Sequence, residues 1–259
     1  MLSNRTGAVL DGCLTFVHPF VHRFVHRSVQ RGWPLACVLC GSRLRPGEAS
    51  GTARFCAPCA ASLPRLADER CEICALPLTS GRICGACLTE PPAYDAVCVP
   101  HAYAFPVDAL IHAYKYGGDL SLARVLAASL ASAVRTRADV LIPMPLAPAR
   151  LRERGFNQAH EIARHLGRAL GIEVLPEGAR KVADTPPQAA LPWKARARNV
   201  RGAFVCDADL SGRHVAIVDD VMTTGATLNE LARNLKRAGA VRVSGWVLAR
   251  TLRAAAGEA

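Results

Sequence analysis

The segment richest in chemistry runs Val215-Ala216-Ile217-Val218-Asp219-Asp220-Val221-Met222-Thr223-Thr224-Gly225-Ala226-Thr227. Its opening apolar run has the pattern of a strand buried on both faces in a parallel sheet. Two adjacent carboxylates close that run, and a small hydroxyl-rich loop then opens a helical pattern. Open α/β sheets bind ligands beyond the carboxyl ends of their strands, which is where this order puts Asp219 and Asp220. Thr223, Thr224, Gly225, Ala226 and Thr227 offer backbone N–H groups, hydroxyls and a helix N-terminus, a set suited to one phosphate monoester. The two acids suit the vicinal hydroxyls of a ribose, directly or through Mg²⁺. An ordinary βα turn with a threonine N-cap accounts for each feature singly, but not for all of them in this order. A P-loop is excluded, because no Gly-Lys-Ser/Thr follows the strand.

A second chemistry lies upstream. Eight of the eleven cysteines form four C-x-x-C pairs: Cys37/Cys40, Cys56/Cys59, Cys71/Cys74 and Cys84/Cys87. Zinc takes four soft ligands in a tetrahedron, and two thiolates on a tight knuckle supply half of one. The pattern therefore predicts two structural zinc ions. Pairing the first motif with the second and the third with the fourth is the simplest arrangement; interleaving is the other. The gaps between partners are long enough to fold back as short β-ribbons. Gly41 and Gly85 each follow a cysteine, where a knuckle often needs positive φ. A disulfide framework is the alternative, but no signal peptide is evident and disulfides do not favour repeated C-x-x-C. Cys13, Cys98 and Cys206 stand alone and read as small buried hydrophobes.

The elements that must position these groups are legible in outline. Pro91-Pro92 ends the cysteine-rich region, and beyond it apolar runs alternate with helical stretches, which predicts α/β architecture. Strands are expected at Val97–Tyr103, Val140–Ile142, Val215–Val218 and Val241–Leu248. Helices are expected at Val107–Ala113, Leu120–Arg135, Gln158–Leu170 (stopped by Gly171) and about Thr227–Arg237 (capped by Gly239). Residues 176–203 have weak periodicity and read as a long loop, which inside a compact domain is usually functional or disordered. Ahead of the cysteines, Phe-Val-His recurs at Phe16-Val17-His18, Phe20-Val21-His22 and Phe24-Val25-His26. A four-residue period aligns each residue type along a helix, so His18, His22 and His26 have metal-binding spacing; an amphipathic extension with solvated histidines is the plainer reading. The organisation expected is an extension at 1–34, helical or disordered, a double zinc module at 35–90, an α/β domain at 91–253 and a tail at 254–259.

Composition limits the remaining choices. With 259 residues, 51% of them hydrophobic and 20% charged, the chain builds a sizeable core rather than remaining disordered. No apolar run reaches the ~18 residues a transmembrane helix needs. The formal charge is +11, falling to about +7 once eight thiolates hold two Zn²⁺. Only four of the 32 basic residues are lysines, so the arginine excess is compatible with genome composition as well as with polyanionic ligands.

The 215–227 segment resembles the phosphoribosyl pyrophosphate (PRPP) motif of type I phosphoribosyltransferases. Arg154-Gly155-Phe156-Asn157-Gln158-Ala159, with Ile142-Pro143-Met144-Pro145-Leu146 upstream, is similar to the hallmark of the ComF subgroup. So are the zinc motifs, Lys115 within Tyr-Lys-Tyr-Gly-Gly, Thr185-x-x-Gln188, Arg198-Asn199 and Gly202-Ala203-Phe204. The resemblance covers roughly residues 35–252. It implies a type I phosphoribosyltransferase-like open parallel sheet flanked by helices, preceded by a small zinc-ribbon module. It further implies that Asp219 and Asp220 face the ribose hydroxyls of Mg²⁺-bound PRPP and that residues 223–227 hold its 5′-phosphate. Pro143, Pro145, Leu146 and Arg154 would meet the pyrophosphate together with Lys115. Residues 180–203 would form a hood, with Arg198 stabilising charge. Hypoxanthine-type salvage enzymes carry Asp where this chain has Thr223, which argues against a purine acceptor. The implied role is in natural competence, as a PRPP-dependent transferase of open acceptor. The alternative is a PRPP-sensing accessory factor that handles single-stranded DNA or a helicase partner; a purely structural module is the third reading. Reduced zinc-type cysteines and the PRPP motif imply a cytoplasmic location.

Overall fold

In the computed structural model, which describes residues 36–44, 54–182 and 201–252, the apolar runs become strands. These are β1 (Ala96–Cys98), β2 (His101–Ala102), β3 (Val140–Pro143), β4 (Glu173–Val174), β5 (Arg180–Lys181), β6 (Phe204–Val205), β7 (His214–Met222) and β8 (Arg242–Arg250). Six form one sheet in the spatial order β1-β8-β7-β3-β4, with β2 following β1 along β8, and every pairing is parallel. β5 and β6 make a separate antiparallel pair. Helices are α1 (Ala57–Ala61), α2 (Gly85–Thr89), α3 (Val107–Tyr116), α4 (Ser121–Ala133), α5 (Pro148–Arg154), α6 (Gln158–Leu170) and α7 (Ala226–Arg237).

Period-two alternation sends successive strand residues to opposite faces, and both faces are covered. Val140, Ile142, Val215, Ile217, Val243 and Val247 pack with Leu228, Leu231 and Leu235 of α7. Leu141, Ala216, Val218, Trp246 and Leu248 pack with α3, α4 and α6. Most of these side chains are wholly buried, each contributing about 1.5–3 kcal/mol if large and aliphatic. The connections from β3 and from β7 leave in opposite directions across the sheet, since β3 leads outward to β4 and β7 to β8. That reversal opens a crevice between the carboxyl ends of β3 and β7.

The cysteine-rich module straddles the β1–β2 edge. Phe55 and Leu63 join the core on the α3–α4 face, whereas Leu66, Cys71, Cys74, Ala75 and Cys87 join the core on the α7 face. Ala102 N–H donates to the Pro64 carbonyl at 2.9 Å, and Arg65 bridges to His101. The module thereby covers backbone that an open sheet would leave unpaired.

Several sequence expectations need correction. The run Val97–Tyr103 is two short strands rather than one, because Pro100 lacks a ladder donor. Strand β7 continues through both aspartates to Met222 instead of ending at Val218, since β8 pairs with it along that whole length. Helix α5 was not foreseen; its seven residues bury none of their side chains, so it has no apolar period. Arg180–Lys181, expected within a loop, pairs with β6, and Val182 N–H donates to the Ala203 carbonyl at 2.9 Å. The gap between the third and fourth motifs shows no β-ribbon, and residues 45–53 of the gap between the first and second lie outside the described residues. Isolated bridges Ala36↔Arg43 and Arg70↔Pro77 instead span the first and third motifs, and the second and fourth sit on α1 and α2. Gly41 does take φ 73°, but Gly85 starts α2 and Ala75 takes the left-handed turn of the third motif at φ 60°. Cys98 and Cys206 are half-buried rather than buried. The Phe-Val-His segment, Cys13, Thr185, Gln188, Arg198 and Asn199 lie outside the described residues.

Candidate functional site: the acidic pair, the threonine loop and the cysteine clusters

β7 carries Asp219 and Asp220 to its carboxyl end beside the crevice. Asp219 pairs in register with Val247 of β8, so its backbone is fixed by the ladder. Their alternation places Asp220 on the α3 face, where it is 3% exposed. Lys115, from the last turn of α3, forms an ion pair with Asp220 Oδ2. Burial alone would lower the Lys115 pKa; Asp220, and behind it Asp219, outweigh burial and hold it above its ordinary value. Asp219 shifts well upward, first through burial and then through the neighbouring Asp220 charge. Each carboxylate also accepts from the following backbone, Asp220 N–H at 2.8 Å and Val221 N–H at 2.9 Å. One acid is thus clamped by a lysine, while the ionised form of the other is disfavoured by burial and by the neighbouring carboxylate.

The threonine loop turns directly from β7 into α7. Gly225 is the N-cap of α7 with φ 82°, a conformation that costs an L-residue roughly 1–2 kcal/mol. A Cβ there would lie 2.6 Å from Met222 Cε and 3.0 Å from the Tyr94 hydroxyl. Thr224 Oγ1 accepts from Ala226 N–H at 3.0 Å, tightening the turn. Thr223, Thr224, Ala226 and Thr227 are partly exposed, and the positive end of the α7 dipole gives the loop anion-binding character.

Across the crevice, Pro143 ends β3 and the Met144 N–H donates to the Val218 carbonyl at 2.8 Å, extending the pairing with β7. Pro145 and Leu146 follow, half-buried, ahead of α5. Arg154 ends α5, and Gly155 stops that helix at φ 80°. The Arg154 guanidinium donates to Gln158 Oε1 at 2.6 Å and lies 5.2 Å over the Tyr116 ring. Asn157 caps α6 by accepting from Ala159 and His160 N–H, and its Nδ2 donates to the Met144 carbonyl at 3.1 Å. Gln158 offers its own carbonyl to the Tyr114 hydroxyl at 2.9 Å. The Arg-Gly-Phe-Asn-Gln run is therefore a junction that locks α5, α6, α3 and the β3 loop together.

The structure brings together Lys115, Asp219, Asp220 and the 223–227 loop at one end of the sheet, with the Pro143–Leu146 loop across the crevice. Three residues around the site escaped sequence reading. Tyr94 packs beside Gly225. Glu230, 5% exposed, accepts from Gly202 N–H at 2.9 Å and anchors the chain leading into β6. Arg250, 1% exposed, donates to carbonyls of the threonine loop. None has a local signal, because each acts across a long stretch of sequence.

The cysteines assemble as Cys37, Cys40, Cys56 and Cys59, and as Cys71, Cys74, Cys84 and Cys87, with ligand atoms in each group within 4.8 Å of one another. This is the sequential pairing. A tetrahedral zinc with Zn–S near 2.3 Å sets sulfurs about 3.8 Å apart, and the Cys40–Cys56 and Cys74–Cys84 separations are both 3.6 Å. The donor sets fit the ion. The Ser42 hydroxyl and N–H bring the Cys40 thiol down to about 6. Burial opposes ionisation of Cys71, but N–H groups from Cys84, Cys74 and Ile73 bring it to about 7. Each cluster thus contains a thiol predisposed to be a thiolate.

Comparison with known proteins agrees with this division. Residues 29–88 match the double zinc ribbon domain and residues 153–256 match the phosphoribosyl transferase domain. The chain is 35% identical over 228 residues to DNA utilization protein YhgH of Escherichia coli (strain K12), covering 85% of this chain and 98% of that one. It is 36% identical over 178 residues to competence protein F of Haemophilus influenzae, covering 64% and 78%. To competence protein ComFC of Bacillus subtilis (strain 168) it is 25% identical over 243 residues, covering 84% and 95%. Among the described residues no helix is long and apolar enough to cross a membrane.

Proposed function

The chain belongs to the ComF family, and on that premise we propose that it binds Mg²⁺–PRPP in the β3–β7 crevice and acts in DNA utilization of the competence type. The observation carrying this reading is the sequence of a clamped carboxylate pair and a glycine-turned threonine loop at the sheet's topological switch point. In this reading the N–H groups and hydroxyls of residues 223–227 take the 5′-phosphate. Asp219 and Asp220 hold the ribose hydroxyls, and Lys115 and Arg154 supply positive charge toward the pyrophosphate with the loop at Pro143, Pro145 and Leu146. Bound Mg²⁺ would neutralise pyrophosphate charge and so ease its departure.

The chemistry proposed is displacement at the anomeric carbon. The C1–O bond to pyrophosphate breaks through an oxocarbenium-like state, an acceptor atom forms the new bond to C1, and the acceptor's proton is lost. The protein contributes positioning and fixed charge rather than a covalent intermediate. Arg198 would stabilise that charge on the strength of the resemblance alone. The names of the relatives support a DNA-linked process; the partner proposed is single-stranded DNA or a DNA-processing protein such as a helicase, and the acceptor is open.

A calorimetric titration of Mg²⁺–PRPP into the zinc-loaded chain and into Asp219→Asn/Asp220→Asn tests the reading. Saturable binding that the double variant loses is expected. Absence of binding to folded wild type removes the transferase reading, and the PRPP-independent accessory role then takes precedence. Steeply salt-dependent DNA binding would then identify phosphate contacts.

A further inference from the structure

We propose that Arg250 is a positioning residue that ties the Thr223–Thr227 loop to the third cysteine motif, so that the metal held by Cys71, Cys74, Cys84 and Cys87 governs the loop's shape. Arg250 ends β8 and is 1% exposed. Its Nε donates to the Cys74 carbonyl at 3.1 Å. Its Nη1 donates to the Met222 carbonyl at 3.0 Å, to the Thr251 carbonyl at 3.1 Å and to the Thr223 carbonyl. One planar group thereby joins a zinc-ligand residue to the first peptides of the loop.

The geometry has a directional consequence. In a trans peptide the carbonyl and the next N–H point opposite ways. The Met222 carbonyl is also held by the Thr251 N–H at 3.0 Å, so it is the Thr223 carbonyl, held on Arg250, whose fixing turns the Thr224 N–H away from the knuckle. A lysine could neutralise charge here but could not fork to several carbonyls at fixed angles. Cys74 is well placed to transmit a change, because the next residue, Ala75, is the one at φ 60° in the knuckle turn. Tyr94 makes a second link: it is 5% exposed, and its hydroxyl lies 3.0 Å from where a Gly225 Cβ would sit. Without metal, four thiols crowded within 4.8 Å lose the bond that holds Cys74, and the guanidinium loses a fixed acceptor. The other cysteine cluster belongs to a segment packed on the opposite face, through Phe55 and Leu63, and should not have this effect.

The consequence for PRPP rests on the function proposed above, whereas the coupling itself does not. The test is hydrogen exchange of residues 221–227 in the full zinc-loaded chain, with zinc content measured on the same samples. Arg250→Lys should keep both zinc ions and the protection of α6, yet speed exchange in 221–227 and weaken PRPP binding, each about tenfold, as losing one or two charge-assisted bonds implies. Cys87→Ser should have the same local effect, while Cys56→Ser should leave 221–227 as in wild type. Unchanged exchange in Arg250→Lys overturns the proposal, as does an equal effect from Cys56→Ser. If Cys87→Ser does not fold, Arg250→Lys still decides. If wild type binds no PRPP, the functional reading fails while the exchange data decide the coupling separately.

Discussion

At the scale of single residues, the acidic pair is held by opposing terms. Asp220 is buried beside Lys115, and removing either partner leaves a buried charge uncompensated. Lys115→Met should therefore cost about 3–5 kcal/mol. Adding Asp220→Asn to it should recover part of that loss, as a double-mutant cycle in urea would detect; strictly additive losses would show that the two do not interact. Gly225 presents a different constraint, since φ 82° and the nearby Tyr94 hydroxyl both oppose a side chain. Gly225→Ala should lose about 1–2 kcal/mol of stability and weaken phosphate binding beyond that of a surface control such as Gly81→Ala. Gly81 is itself at φ 81° but has open space where its Cβ would sit, so equal losses in the two variants would mean that φ alone, not the Met222 and Tyr94 contacts, opposes the side chain. The sequence made the acids and the loop visible because they are contiguous. It concealed Arg250, Tyr94 and Glu230, whose partners lie many residues away.

At the scale of elements, legibility followed length and capping. Helix α6 could be read to its last residue because Asn157 caps one end and Gly171, at φ 64°, stops the other. Strands β7 and β8 were placed correctly but ended early, since pairing rather than hydropathy carries them through Asp219–Asp220 and Ala249–Arg250. Helix α5 and the two-residue strands β4, β5 and β6 were invisible, being too short to show a period. Element β2 adds a pH dependence. His101, 6% exposed with Nε2 2.7 Å from Ser129 Oγ, is pushed by burial from 6.5 down to about 4. The unfolded chain then takes up this proton near pH 6.5, and the folded chain resists it until about pH 4. Stability should fall as pH drops through that window, by up to about 3 kcal/mol from this group. His101→Gln should flatten that part of the urea-midpoint profile; a profile unchanged by the substitution would show that His101 does not contribute.

At the scale of the whole molecule, the cysteine module is part of the architecture rather than an appendage. Its two halves feed the cores on opposite faces of the sheet, and the second half touches the threonine loop through Arg250. Two zinc ions per chain should be released by a thiol-modifying reagent and counted with a chromogenic chelator; a stoichiometry of one would contradict the paired clusters. The central claim is that the β3–β7 crevice receives PRPP with its phosphate on the threonine loop. A crystal structure of the zinc-loaded chain with Mg²⁺–PRPP tests it most directly. The account predicts the 5′-phosphate on the N–H groups of residues 224–227 and the ribose hydroxyls against Asp219 and Asp220. PRPP bound elsewhere on the molecule, or its pyrophosphate rather than its 5′-phosphate on that loop, would contradict it.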